Sequence, residues 1–419
     1  MKKDNLFASA ALLVTGTSAA QLIAFIALPI LSRIYSPADF GLFSVYAALL
    51  SIATVMACFR YEFAIFLPKT NRAAFHVFVL AGGTSFVSSS LFAIVIYIFR
   101  DWLTVKYDLS NAQYILWLLP PSLFFTGLIA AVTSWNTRNS SYPLLTVSKL
   151  AQSIPKTALQ LLLGYAAWGS LGLVVGELLG KISGLFVQWR GESALTDASI
   201  RRVSMRRIMK MAAIYKRFPL ISSWSSIINQ LGVVAPAVFL AAHYGPDAAG
   251  FYAMTDRILA VPMDLIGRSV QSVYLGEASK NLRKSPERLR PLFFKFALRM
   301  FLLGLIPVLV IMFFGDWAFV ALLGDDWRQA GEFAQVLCIS FLFRFAFSPL
   351  SQTLSLIERQ DLQLIWDVAR LVAVCCAFYI VAISESPPLA ALKSYTAVVV
   401  VSQISYALLV NKCLRRMHR

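Results

Sequence analysis

Charged residues are scarce in this chain: Asp, Glu, Lys and Arg make up 14% of its 419 residues, against 58% hydrophobic. Soluble domains run about 25% charged and about 45–50% apolar. So few charges cannot cover so much apolar surface, which excludes an ordinary globular enzyme. Histidine is scarcer still. His76, His243 and His418 are scattered along the sequence, which argues against a His-based metal site. The five cysteines, Cys58, Cys338, Cys375, Cys376 and Cys413, show neither the paired spacing of a zinc site nor a disulfide framework. No metal and no cofactor are expected. Acids are outnumbered by bases, 21 to 38, for a net charge of +17. In a soluble protein that balance would suggest nucleic acid; in so hydrophobic a chain the loop cations are topology signals, and no nucleic-acid partner is expected.

What is present is a series of apolar runs long enough to cross a bilayer, about 20 residues each. They fall at 11–31, 40–58, 77–99, 114–135, 144–165 and 171–189, then at 218–242, 250–274, 293–314, 332–355, 362–383 and 389–409. Lys2 and Lys3 followed by an apolar run imitate a signal peptide, but the run from Ala10 to Leu31 is too long for one and reads as a retained first span. With those lysines inside, 24 of the 38 Lys and Arg fall in cytoplasmic segments. Only Arg33, Arg100, Lys106 and Arg328 fall on the other face. This positive-inside bias puts both termini in the cytoplasm. The expected fold class is an all-α polytopic membrane protein with 12 transmembrane helices. Its expected parts are an N-terminal six-helix bundle over 1–189, a basic cytoplasmic linker over 190–217 (Arg201, Arg202, Arg206, Arg207 and Lys210 within it), and a C-terminal six-helix bundle over 218–419.

The two halves repeat one another. Gln21-Leu22 recurs as Gln230-Leu231, 209 residues on, and Tyr35-Ser-Pro37 with Gly41 recurs as Tyr244-Gly-Pro246 with Gly250 at the same offset. Asp101-Trp102 reappears as Asp316-Trp317 at an offset of 215. Six spans per half is an even number, so the repeats are expected to be parallel, around a central cavity exposed to each side in turn.

An ionisable side chain in mid-membrane costs about 2.5–3.5 kcal/mol and persists where it meets a partner, lines water or does a job. Glu177 with Lys181, Asp264 with Arg268, and Asp367 with Arg370 each have an opposite charge one helical turn away. Asp256 and Arg257 are sequence neighbours. In the fifth span Lys149, Gln152, Ser153, Lys156 and Gln160 share one helix face with no acid in the span, a stripe expected to line a wet interior. Arg344 has no partner within the tenth span, and Arg60 and Arg268, at an offset of 208, sit near the cytoplasmic ends of the second and eighth spans. A surplus of fixed positive charge attracts anions, and Arg and Lys suit phosphate in particular. The residues alone therefore point to an exporter or flippase of an anionic, polar-headed molecule.

The run Leu28-Pro29-Ile30-Leu31-Ser32-Arg33-Ile34-Tyr35-Ser36-Pro37-Ala38-Asp39-Phe40-Gly41 resembles the first-span exit of bacterial polysaccharide biosynthesis exporters. These are the O-antigen-type flippases of the multidrug/oligosaccharidyl-lipid/polysaccharide exporter superfamily. Arg60-Tyr61-Glu62 with Ala64-Ile65 and Leu67-Pro68 resembles that family's second-span exit, and Gly324-Asp-Asp-Trp327 with Ala330-Gly331 the turn into its tenth span. The resemblance implies a MATE-like monomer in the bacterial inner membrane. Its implied cargo is an undecaprenyl-diphosphate-linked oligosaccharide, an O-antigen, capsule or exopolysaccharide repeat, with polysaccharide polymerase and chain-length proteins as partners. Such a protein is not an enzyme. Candidate substrate-binding residues are Arg33, Arg60, Lys149, Gln152, Lys156, Gln160, Arg257, Arg268 and Arg344; Glu62 and Asp256 are the ion-coupling candidates. The alternatives are a multidrug cation antiporter of the same superfamily, whose cavity needs unneutralised carboxylates, and a polysaccharide polymerase or ligase, which needs larger external loops than the 17 residues of Gly315–Gly331.

Overall fold

The computed structural model describes residues 3–108, 113–191, 203–216 and 218–416. The chain divides into two compact units, Met1–Gln230 and Leu231–Arg419. Among the described residues the first unit contains α1 (Lys3–Ile26), α2 (Leu28–Ile34), α3 (Pro37–Ala57), α4 (Tyr61–Ala64), α5 (Asn71–Lys106), α6 (Tyr114–Arg138), α7 (Tyr142–Tyr165), α8 (Ser170–Gly191) and α9 (Met205–Ile214). Helix α10 (Ser223–Tyr244) leads into the second unit. There α11 (Pro246–Lys284), α12 (Leu289–Leu323), α13 (Arg328–Phe347), α14 (Thr353–Leu356), α15 (Gln360–Ile383) and α16 (Pro388–Arg416) follow.

Ten helices among the described residues are long and apolar enough to cross a membrane, against twelve spans read from the sequence. The difference is accounted for by α7, 24 residues, and α11, 39 residues. Both are long enough to span, but α7 carries Lys149, Gln152, Lys156 and Gln160, and α11 carries Asp256, Arg257, Asp264 and Arg268. These polar and charged side chains lower the mean hydropathy of both helices, and they are the side chains of interest. At about 1.5 Å per residue, α11 is about 58 Å long, more than the hydrocarbon core needs.

Local chemistry sets the helix starts. Ser36 caps α3: its Oγ accepts from the Asp39 amide at 3.2 Å while Asp39 Oδ2 accepts from the Ser36 amide at 3.1 Å, with Pro37 at the first helical position. The repeated motif starts α11 differently, through Gly245 at φ +86° ahead of Pro246. Within α7, Pro155 has no N–H for the Ala151 carbonyl, and the Ser183 hydroxyl of α8 donates to that carbonyl instead.

The two units share a packing scheme. In the first, α5 packs on α6, α3 on α6, α6 on α8 and α7 on α8; in the second, α12 packs on α13, α11 on α13, α13 on α16 and α15 on α16. Polar contacts repeat as well. Tyr46 of α3 donates to Ser122 of α6 at 2.5 Å, and Thr255 of α11, 209 residues later, donates to the Ala330 carbonyl of α13 at 2.8 Å.

Candidate functional site

Helices α7 and α8 approach closely because α8 carries Gly176, Gly180 and Gly184 on one face. A Cβ at Gly180 would lie 2.7 Å from both the Gln152 carbonyl oxygen and Lys156 Cβ, one at Gly176 would lie 2.5 Å from Gln160 Cγ, and one at Gly184 would collide with the Gln152 side chain. The polar face of α7 is thus turned onto the glycine face of α8. Gln160 is buried and donates to the Leu173 carbonyl at 3.0 Å, and Gln152 donates to Ser148 at 3.2 Å. Ser153 donates to the Ala20 carbonyl of α1 at 2.7 Å. The expectation that these amides line a wet interior is corrected: they serve helix–helix contacts, because an amide buried at a tight interface must find a partner there.

The same approach carries Lys156 to an acid. Its Nζ lies 2.5 Å from Glu177 Oε2, and Lys181 Nζ lies 3.6 Å from the other oxygen of that carboxylate. Lys181 also donates to the Thr126 hydroxyl of α6 at 3.1 Å. Lys156, Glu177 and Lys181 keep side-chain exposures of 21%, 20% and 17%, so the cluster is not fully enclosed by protein. The expected Glu177–Lys181 pair is present, but Lys156 shares its acid. That partner sits on the next span, where the span-by-span reading did not look. Gly176-x-x-x-Gly180-x-x-x-Gly184 was the available signal, since a small-residue stripe marks the face that a neighbouring helix meets. Lys149, on the same helix, is half-buried.

In the second unit Arg268 of α11 and Arg344 of α13 line one cavity of about 240 Å³. Gln271, Ser348 and Ser351 supply further polar groups to its wall, and Met263, Phe341 and Phe345 an apolar side. Arg344 lies 4.7 Å from the centre of the Phe341 ring, a cation–π distance. Arg344, with no partner in its own span, finds one on another helix: its Nη1 lies 3.9 Å from Asp256 Oδ1 on α11. An ion pair at that distance, with both side chains more than a third exposed (35% and 39%), is loose. Asp256, an ion-coupling candidate, thus faces a guanidinium. Arg257 is half-buried on α11. The Asp264 side chain lies outside the described residues, so its pairing with Arg268 does too; Asp367 and Arg370 pair at 3.5 Å. Three residues of this cavity, Gln271, Ser348 and Ser351, went unread in the sequence, although Gln271 stands three residues after Arg268 and Ser348 four after Arg344, the spacing of one helix face.

The remaining candidates stand at helix ends. Arg33 is exposed in the last turn of α2. Arg60 follows α3 in the left-handed region, φ +63°, and forms a local clasp. Its Nη1 is 3.7 Å from Glu62 Oε1, and its guanidinium carbon is 5.2 Å from the centre of the Phe63 ring. Burial pushes the Glu62 carboxyl above its ordinary range, against the pull of the Arg60 charge. Arg138 secures the segment that follows, donating to the carbonyls of Ile65 and Phe66 at 3.0 Å each and of Pro68 at 2.7 Å. Of the basic linker, Arg206, Arg207 and Lys210 lie on α9; Arg201, Arg202 and Arg217 lie outside the described residues.

Helices of membrane-spanning length and composition define a multi-pass membrane protein. Residues 30–332 match the polysaccharide biosynthesis protein family, and the chain belongs to it. It is similar to the succinoglycan biosynthesis transport protein ExoT of Rhizobium meliloti (strain 1021), 23% identical over 330 residues. That match covers 75% of this chain and 62% of the relative's length. In fold it is similar to the lipid II flippase MurJ in an inward closed conformation, with a TM-score of 0.75 at 13% identity over 97% of this chain and 91% of that one. An inward-facing multidrug resistance MATE family transporter of the MOP superfamily aligns with a TM-score of 0.58 at 14% identity, over 97% and 95% of the two chains.

Proposed function

We propose that this protein is a flippase that moves a diphosphate-linked lipid oligosaccharide across the bacterial inner membrane by alternating access, breaking no covalent bond. The observation that carries the reading is the placement of Arg268 and Arg344 on one cavity of about 240 Å³. Two guanidiniums on a partly desolvated wall suit the oxygens of a diphosphate, which accept paired N–H donors from a planar fork. Gln271, Ser348 and Ser351 add neutral groups of the kind that meet sugar hydroxyls. The volume is below the about 300–1,000 Å³ of sites that enclose a drug-sized ligand, and so suits a headgroup fragment with the rest of the molecule outside. Membership of a polysaccharide biosynthesis family and similarity to a succinoglycan transport protein support a glycan cargo, and the fold shared with a lipid II flippase supports a lipid-linked one.

The test is inorganic pyrophosphate titrated calorimetrically into purified full-length protein, beside surface polysaccharide in a deletion strain. Arg268→Ala with Arg344→Ala is expected to lower the number of pyrophosphate molecules bound and to leave the strain without polysaccharide at normal protein levels. Full complementation by that double variant would refute the proposal.

A further inference from the structure

We infer that the first unit holds an anion site of its own, built on Lys156 and Lys181, in which the Glu177 carboxylate occupies the position an incoming phosphate takes. The inference rests on the reading of the protein as a carrier of a phosphate-bearing molecule. Its observations are independent of the cavity in the second unit.

The argument starts from charge. Lys156 and Lys181 both address Glu177, at 2.5 Å and 3.6 Å, so the three side chains together carry a charge of +1. All three belong to membrane-spanning helices, where unbalanced charge is costly. Here one carboxylate is divided between two ammoniums, and the second ammonium leans on the Thr126 hydroxyl at 3.1 Å. An anion brought to this place meets two point charges on flexible four-carbon stems.

Glu177 makes such binding reversible. A carboxylate presents two oxygens much as a phosphate edge does, and Glu177 holds one ammonium on each. When a phosphate arrives, Lys156 exchanges the carboxylate for it; when the phosphate leaves, Glu177 recaptures the lysine. A carrier needs a site favourable enough to fill and weak enough to empty, and a resident competitor sets that balance. The glycine face of α8 is part of the device, because a Cβ at Gly180, 2.7 Å from Lys156 Cβ, would hold the lysine stem away.

Two substitutions push in opposite directions. In purified full-length protein titrated with pyrophosphate, Glu177→Gln removes the competitor and is expected to raise affinity about tenfold or more and slow dissociation, while abolishing transport in cells. Lys181→Met leaves a balanced Lys156–Glu177 pair and is expected to lower affinity about tenfold. If Glu177→Gln does not fold, Glu177→Asp, whose shorter side chain loosens its hold on Lys156, is expected to raise affinity by a smaller factor. Affinities that stay unchanged, or that fall in all three variants, overturn the inference while Arg268→Ala and Arg344→Ala still report on the other cavity. Wild-type protein that binds no pyrophosphate overturns both readings.

Discussion

Tyr35 and Tyr244, 209 residues apart, each donate a hydroxyl hydrogen bond of 2.6 Å to a backbone carbonyl, that of Gln160 in the first unit and that of Ser386 in the second. Gln160 lies in the last turns of α7, and Ser386 three residues beyond the end of α15. Each tyrosine ties the link between the first two spans of its half to the end of that half's fifth. Burial, with the Asp39 charge adding to it, pushes the Tyr35 hydroxyl up to about 12, so it remains a donor throughout the usable pH range. Tyr35→Phe and Tyr244→Phe are each expected to cost about 1 kcal/mol. The two bonds share no partner, so the double variant should lose about the sum. Thermal unfolding of purified protein measures both.

Gly180 tests the α7–α8 seam. A methyl group there meets the Gln152 carbonyl and the Lys156 side chain at 2.7 Å, so Gly180→Ala is expected to destabilise by about 1–3 kcal/mol. Gly83, where an added Cβ meets nothing within 4 Å, is the control, and Gly83→Ala should unfold at or above the wild-type temperature.

Glu62 confers a pH dependence of definite sign. Burial raises its carboxyl from an ordinary value of 4.5 in the folded chain, so the folded state holds that proton more tightly than the unfolded state. Its contribution to stability is therefore present at low pH and lost as pH rises from 4.5 through the raised value. Glu62→Gln should flatten the melting temperature across that window, and a profile with the wild-type slope would refute the assignment.

Arg138 should matter through structure alone. Its three hydrogen bonds to the carbonyls of Ile65, Phe66 and Pro68 come from a charged donor, worth about 1.5–3 kcal/mol each. Arg138→Ala is expected to expose the 59–70 segment to limited proteolysis, with pyrophosphate affinity unchanged in the protein that folds.

Much of this was legible in the residues. The offset of 209 between Tyr35 and Tyr244 announced the duplication, and the tyrosines occupy matching positions because the motif that starts the next helix fixes where they stand. Arg268 and Arg344 were singled out by the cost of charge in a membrane, and both line one cavity. The fifth-span stripe was read correctly as one helix face but given the wrong neighbour. Gln152 and Gln160 meet α8, and Lys156 meets Glu177 there.

Hydropathy, charge bias and the repeated motifs determined that this chain is a duplicated helical membrane protein with costly cations inside it, because those properties depend on a residue and its near neighbours along the chain. Which acid answers which base was decided only by tertiary packing. Lys156 and Glu177 stand on different spans, and they come within 2.5 Å because glycines on α8 let the two backbones close. The pairing follows from a distance between helices, and no periodicity within a single helix encodes that distance.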